Sequence, residues 1–231
     1  MLHQAWRDVI FVHWRFDRAV VGARLPAALT VDEFDGSAWV SLVAFLVRDT
    51  RPAWGPAVPF VSDFTETNLR TYVVGPDGRD GLWFFTLETD SLVTVLGARV
   101  IGVPYRWADM VARRDGAELV YGSRRRATSS SPMHLTSVDT TGADDAVDAR
   151  THWLTGRWRA WTRVGRRFAT VPVEHQPWAL RSSALVSHED SLLAEAGLPA
   201  STAPSLVHTS GGVDARLGWP QPVGRAGRLG R

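Results

Sequence analysis

Two residue types are missing from this 231-residue chain, and each absence removes a body of chemistry. There is no cysteine, which excludes disulfides, thiolate nucleophiles and cysteine-ligated metals. There is no lysine either: all 26 residues counted as Lys+Arg are arginine. No lysine amine can therefore form a Schiff base with a carbonyl or reach into a phosphate loop. Histidine occurs seven times, but never as His-x-His, His-x-x-x-His or His-Glu-x-x-His, so any metal site would have to be assembled from distant segments. The Gly-x-Ser-x-Gly nucleophile elbow and the glycine-rich dinucleotide and phosphate signatures are absent as well. No apolar run approaches the roughly 18 to 20 residues of a membrane-spanning helix. The first residues lack the apolar core of a signal peptide, so a cytoplasmic location is expected. Acids alternate with the arginines and the net charge is only +2, which gives no nucleic-acid footprint. We expect no cofactor, no metal, no membrane and no nucleic-acid partner; oligomeric state is not legible.

What is present argues for a packed globule. The hydrophobic fraction is 45% and there are eleven tryptophans. Arginine keeps its charge in any setting, and its planar fork suits carboxylates and phosphates, so the expected partner is a small anionic molecule. Aromatic and β-branched residues from Trp6 to Trp14 predict a buried strand. Asp17 can cap a short helix that stops before Pro26. Phe34-Asp35-Gly36-Ser37 reads as a turn into an apolar strand over Ala38 to Val47. Arg51 to Pro59 reads as a loop packed by Trp54 and Phe60. Apolar spacing of three and four from Leu92 predicts a helix capped by Thr89 or Asp90. Asp115-Gly116 marks a hairpin joining Trp107–Arg114 to Ala117–Arg126. Thr128 to Asp148 reads as exposed and polar, and Trp153 to Trp161 and Phe168 to Val173 as strands. Ser187-His188-Glu189-Asp190 looks like a helix start, closing at Gly197. His13 and His175 fall in apolar or proline-bounded contexts, whereas His134, His152, His188 and His208 read as exposed or near loops. We expect one domain over residues 1–217 and a disordered Gly/Pro/Arg tail over residues 218–231.

The most informative stretch is Phe64-Thr65-Glu66-Thr67-Asn68-Leu69-Arg70-Thr71-Tyr72-Val73. In an extended strand Glu66, Asn68, Arg70 and Tyr72 share one face, while Thr67, Leu69, Thr71 and Val73 share the other. An acid, an amide, a cation and a phenol on one face suit either a solvated surface or the wall of a polar pocket. Glu66 and Arg70 lie about 13 Å apart by strand rise, so each, if buried, needs a partner from another strand or from a ligand.

The ordered set Trp6-Arg7-Asp8, Phe11-x-His13-Trp14, Leu25-Pro26, Phe34-Asp35-Gly36, Glu66-x-Asn68-x-Arg70-Thr71-Tyr72-Val73, Pro104-Tyr105 and His175-x-Pro177-Trp178 resembles the YqjF-like family of uncharacterised bacterial proteins. That family is distantly similar to acetoacetate decarboxylase, a large curved antiparallel barrel around a small-molecule cavity. The resemblance implies that Arg7 matches an active-site arginine and that Phe64-Thr65-Glu66 supplies an acid. It also places Tyr105, in Gly102-Val103-Pro104-Tyr105-Arg106, where the decarboxylase has its nucleophilic lysine. A second acid of the decarboxylase would fall near Ala44, where there is none. Imine-based decarboxylation is thereby excluded unless the chain terminus supplies the amine.

The expected fold is α+β and mostly β, a curved antiparallel barrel with a few short helices. The expected function is a small-molecule pocket acting on a small carboxylate or keto acid by acid/base chemistry. The alternative is a binding protein that holds a metabolite unchanged. Glu66 and Tyr105 are the candidate catalytic residues; Arg7, Asn68, Arg70, Tyr72 and Arg106 are the candidate ligand-binding residues.

Overall fold

The computed structural model describes residues 1–56, 62–126, 132–144, 147–199 and 203–223. The chain opens with β1 (Leu2–Phe16), α1 (Arg18–Gly22), β2 (Thr30–Val31), β3 (Ala38–Pro52), β4 (Phe64–Val74) and β5 (Asp80–Thr89). Next come α2 (Leu92–Val100), β6 (Tyr105–Asp115), β7 (Glu118–Arg125), β8 (Met133–Asp139), α3 (Ala149–Thr155), β9 (Arg159–Val164) and β10 (Arg167–His175). The last elements are β11 (Leu180–Ser182), β12 (Ala184–Asp190), α4 (Leu192–Glu195), β13 (Leu206–Leu217) and β14 (Gln221–Pro222).

Strand pairing closes a ring in the order β5-β9-β10-β13-β1-β3-β4, returning to β5. Closure removes the sheet edge and encloses an interior. Strand β5 is the branch point: Leu82–Trp83 pair in parallel with Ala160–Trp161 of β9, while Leu87–Thr89 pair in parallel with Tyr105–Trp107 of β6. From β6 a second sheet, β6-β7-β8-β12, folds back over the outer wall of the barrel. Ile10 and Ala44 on that wall pack against Leu119, Tyr121 and Val138 of the second sheet. The expected curved, mostly-strand architecture is therefore present, with parallel joints at β5 where only antiparallel pairing was expected.

Local chemistry explains several elements. Asp35 and Gly36 both have positive φ (51° and 67°), and Phe34 and Ser37 exchange backbone bonds at 3.1 Å, the tight turn that Asp-Gly favours before β3. Asp17 caps α1 by accepting from the Ala19 amide at 2.6 Å. Within β1, Asp8 has a φ of 52° and the register against β3 slips between Arg7 and Ile10. This bulge swaps the inward parity of the strand: Leu2, Gln4 and Trp6 face the interior before it, and Phe11 faces it afterwards. Arg114 holds the Asp8 carboxylate at 2.7 Å and the Tyr121 hydroxyl donates to its carbonyl at 2.7 Å. The barrel floor is built from Trp39, Tyr72, Leu82 and Leu154, with α3 lying beneath. Each of these large side chains contributes roughly 1.5–3 kcal/mol by burial.

The structure corrects several local expectations. Ser187–Asp190 lie in β12, paired with β8; the helix begins only at Leu192, where Asp190 accepts from the Leu192 and Leu193 amides. The cap of α2 is Ser91, because Asp90 is occupied by the Thr65 amide. Trp153 is in α3, capped by Asp148. Trp54 is 88% exposed and packs no loop, and Phe60 lies outside the described residues. His134, Thr136 and Ser137 of β8 are buried, not exposed: His134 and Thr136 face the barrel wall, where His134 meets Thr67, while Ser137 on the other face donates to Glu118; His208 is buried as well. In the expected tail, Gln221–Pro222 pair with β10; residues 224–231 lie outside the described residues. Among the described residues no helix is long and apolar enough to cross a membrane.

Candidate active-site cavity

The barrel interior holds a cavity of about 390 Å³. Its charged wall is β4, whose alternation turns Glu66, Asn68 and Arg70 inward. The outward residues Thr67, Leu69 and Thr71 are buried too, because the second sheet and α4 cover that side; His134 Nε2 meets Thr67 Oγ1 at 3.0 Å. Tyr105 enters from the start of β6, beside the end of β5 and two strands from Glu66.

Glu66 is 6% exposed and both of its oxygens are engaged. The Tyr105 hydroxyl donates to Oε2 at 2.5 Å and Asn68 Nδ2 donates to Oε1 at 3.1 Å. Burial pushes the Glu66 carboxyl above the usual range, opposed by the bonds from Tyr105 and Asn68 and by the charge on Arg70. Burial also pushes the Tyr105 phenol well above its ordinary value, and the Glu66 charge adds to the effect. Tyr105 is therefore a proton donor in hydrogen bonds, not a phenolate. Asn68 Oδ1 is buried and unbonded among the described residues.

Arg70 has no carboxylate partner among the described residues, and its buried Nε makes no hydrogen bond. Its guanidinium lies 5.9 Å from the Phe11 ring centroid. Burial lowers its pKa, while Tyr72 and Glu66 oppose the shift. A guanidinium stays charged regardless, so the cavity wall carries a cation that no carboxylate among the described residues reaches at ion-pair distance, Glu66 acting on it only from farther away. Tyr72 lies deeper in the floor. Its hydroxyl donates to the Leu154 carbonyl at 2.9 Å and meets Ser41 Oγ at 2.8 Å, and Ser41 meets His13 Nδ1 at 2.7 Å. Tyr72, expected to bind the ligand, is thus held in the floor and does not line the cavity.

Two further expected residues lie elsewhere. Arg7 follows the inward Trp6 and so faces out; it is 41% exposed and pairs with Asp214 at 2.5 Å. Arg106 follows Tyr105 and is exposed by the same alternation. Ala44, the place of the missing second acid, points out of the barrel. Two features went unread in the sequence. Arg157, 4% exposed, lines the cavity over Tyr72 and Trp153 and pairs with Asp32 at 2.7 Å and Asp80 at 2.8 Å. Those acids are 125 and 77 positions away, so no local pattern singles it out. The second feature is an aromatic cluster in which Trp6 stacks on Trp178 at 6.2 Å and both approach His175. The His175–Trp178 motif was legible in the sequence, but its partner across the barrel was not. Among the described residues no group of His, Asp or Glu is arranged to hold a metal ion.

Comparison with known proteins places the chain in a family and a fold. The model of DUF2071, a family of uncharacterized conserved proteins, matches residues 3–214. The uncharacterized protein YqjF of Bacillus subtilis (strain 168) is 31% identical over 225 residues, covering 95% of this chain and 91% of YqjF. Acetoacetate decarboxylase from Legionella pneumophila superposes with a TM-score of 0.70 at 14% identity, over 98% of this chain and 88% of that one. The enduracididine biosynthesis enzyme MppR, solved in complex with pyruvate, gives a TM-score of 0.67 at 15% identity, over 97% of this chain and 90% of its own. The chain therefore belongs to the DUF2071 family and shares the fold of acetoacetate decarboxylase.

Proposed function

We propose that the barrel cavity is the reaction chamber of a lysine-independent enzyme acting on a small carboxylate or keto acid. The observation that carries this reading is the Tyr105 hydroxyl on the Glu66 carboxylate, in the same cavity as an arginine that makes no direct ion pair among the described residues. Arg70 would hold the substrate carboxylate through its guanidinium fork. Glu66, its basicity raised by burial, would take a proton from the carbon beside the carbonyl. The C–H electron pair then becomes the enolate double bond, and the Tyr105 hydroxyl donates to the oxygen on which charge develops. An imine route is closed to the side chains because there is no lysine. A fold relative that was solved with pyruvate supports the choice of a keto acid.

One observation favours the second reading, a protein that binds a metabolite unchanged: both Glu66 oxygens are already bonded to protein donors. Deuterium exchange separates the two. Pyruvate and phenylpyruvate are incubated with the protein in heavy water, and loss of the C3 proton signal is followed by NMR. The enzyme reading expects exchange above the solvent background with wild type and only background with Glu66→Gln. Equal rates for the two proteins would refute the role of Glu66, and binding without exchange would select the second reading.

A further inference from the structure

The ring order sets Arg70 and Glu66 on β4 opposite β10 and β13, each of which is three strands from β4 around the barrel. The side chains that those strands turn into the cavity are Val171, Val173 and Leu217, with the His175 imidazole at the end of β10. A charged wall therefore faces a mostly apolar wall with one imidazole at its edge. The neighbouring β3 adds Val43 and Phe45, and Trp6 and Trp178 stack beside them. At the ~30 Å³ that a water occupies in the liquid, the cavity of about 390 Å³ has room for roughly thirteen waters. Pyruvate has six non-hydrogen atoms and would fill less than half of that space. Leaving the rest to water would wet apolar walls that bind hydrocarbon better.

Resting on the carboxylate reading of Arg70 above, we infer that the ligand is an amphipathic carboxylic acid whose anionic head meets Arg70 while an aromatic or branched body of phenylpyruvate size fills the space before Val171, Val173 and Leu217. The chemistry is that of a 2-oxo acid with a bulky apolar side chain, not of a three- or four-carbon acid. The Asn68 carbonyl oxygen, buried and unbonded, stands next to Glu66 on the same strand face.

Isothermal titration of the wild-type protein with pyruvate, 2-oxobutanoate, 2-oxohexanoate and phenylpyruvate tests this, with phenylacetone as the same ring and ketone without the carboxylate. Affinity is expected to rise about fourfold per added methylene. Phenylpyruvate should bind tightest of the acids, and phenylacetone at least about tenfold more weakly than phenylpyruvate, the loss of a charge-assisted contact. Arg70→Met should bring phenylpyruvate down to the phenylacetone level, and the acid-to-ketone ratio in wild type reads the same contact if that variant fails to fold. Acids that bind with flat or falling affinity along the series would overturn this inference and leave the reaction-chamber reading standing. Phenylacetone binding as tightly as phenylpyruvate would overturn the anionic head. If none of the acids binds, both readings fail.

Discussion

Removing one oxygen atom tests the electrostatics of the cavity directly. In Tyr105→Phe the Glu66 carboxyl keeps its Asn68 contact and loses the 2.5 Å donor on Oε2, in a site where Glu66 is 6% exposed and water cannot readily substitute. A hydrogen bond to a charged group contributes about 2 kcal/mol and one to a neutral group about 1 kcal/mol. The cost of the substitution therefore depends on whether Glu66 is ionised. Glu66 has its folded-state pKa raised by burial, so its stability contribution is fully present below the unfolded value and is lost as pH rises through the folded value. The Tyr105 bond opposes that shift; without it the pKa rises further and the loss deepens on the alkaline side. For a chain of this length each kcal/mol moves Tm by about 2–4 °C. Scanning calorimetry at pH 4.5 should find Tyr105→Phe lower than wild type by about 2–4 °C, widening to about 4–8 °C at pH 8.5. A gap that stays constant, or narrows as pH rises, would refute the coupling of Tyr105 to an ionising Glu66.

Other perturbations read separate parts of the structure. Burial holds His134 down to about 3, between Thr136 and Thr67, so the native state resists the proton that the unfolded chain takes up. Its contribution is complete above the unfolded pKa near 6.5 and is lost as pH falls towards 3, at up to about 1.4 kcal/mol per pH unit. His134→Asn should flatten that acid limb in urea titrations between pH 6.5 and 4, and an unchanged slope would contradict it. A Cβ on Gly75 would stand 1.8 Å from the Trp161 ring, so Gly75→Ala should cost about 1–3 kcal/mol or more in denaturant unfolding; a neutral result would mean that the ring can move away. Arg7 pairs with Asp214 in the open, so Arg7→Ala should change stability by less than about 1 kcal/mol and leave the affinity for phenylpyruvate within twofold of wild type. A large loss of binding would return Arg7 to the site.

Much of the charged wall was legible before any coordinates, because strand alternation is a local rule. Glu66, Asn68 and Arg70 were placed on one face by spacing alone, and they share the cavity. The same rule separates Tyr105 from Arg106 and Trp6 from Arg7, so neither adjacent pair could share the cavity. Tyr105 itself came from the family resemblance, since nothing in its own neighbourhood marks it. The burial of His134 was hidden because its covering partner, Thr67, is 67 positions away and on another sheet. A tryptophan-rich segment around Trp153 suits a strand as well as a helix, and the Asp148 cap that decides for the helix acts through one bond to the Thr151 amide.

By itself the sequence determined which chemistries are closed and which residues can share a strand face: composition has no geometry to wait for, and a period of two needs only the backbone. The tertiary structure alone decided that the face looks into a cavity and not into solvent. That outcome depends on β5 pairing with β9 to close the ring and on the bulge at Asp8 swapping the parity of β1. Both are contacts between residues far apart in the chain, whose free energy exists only once the barrel has closed.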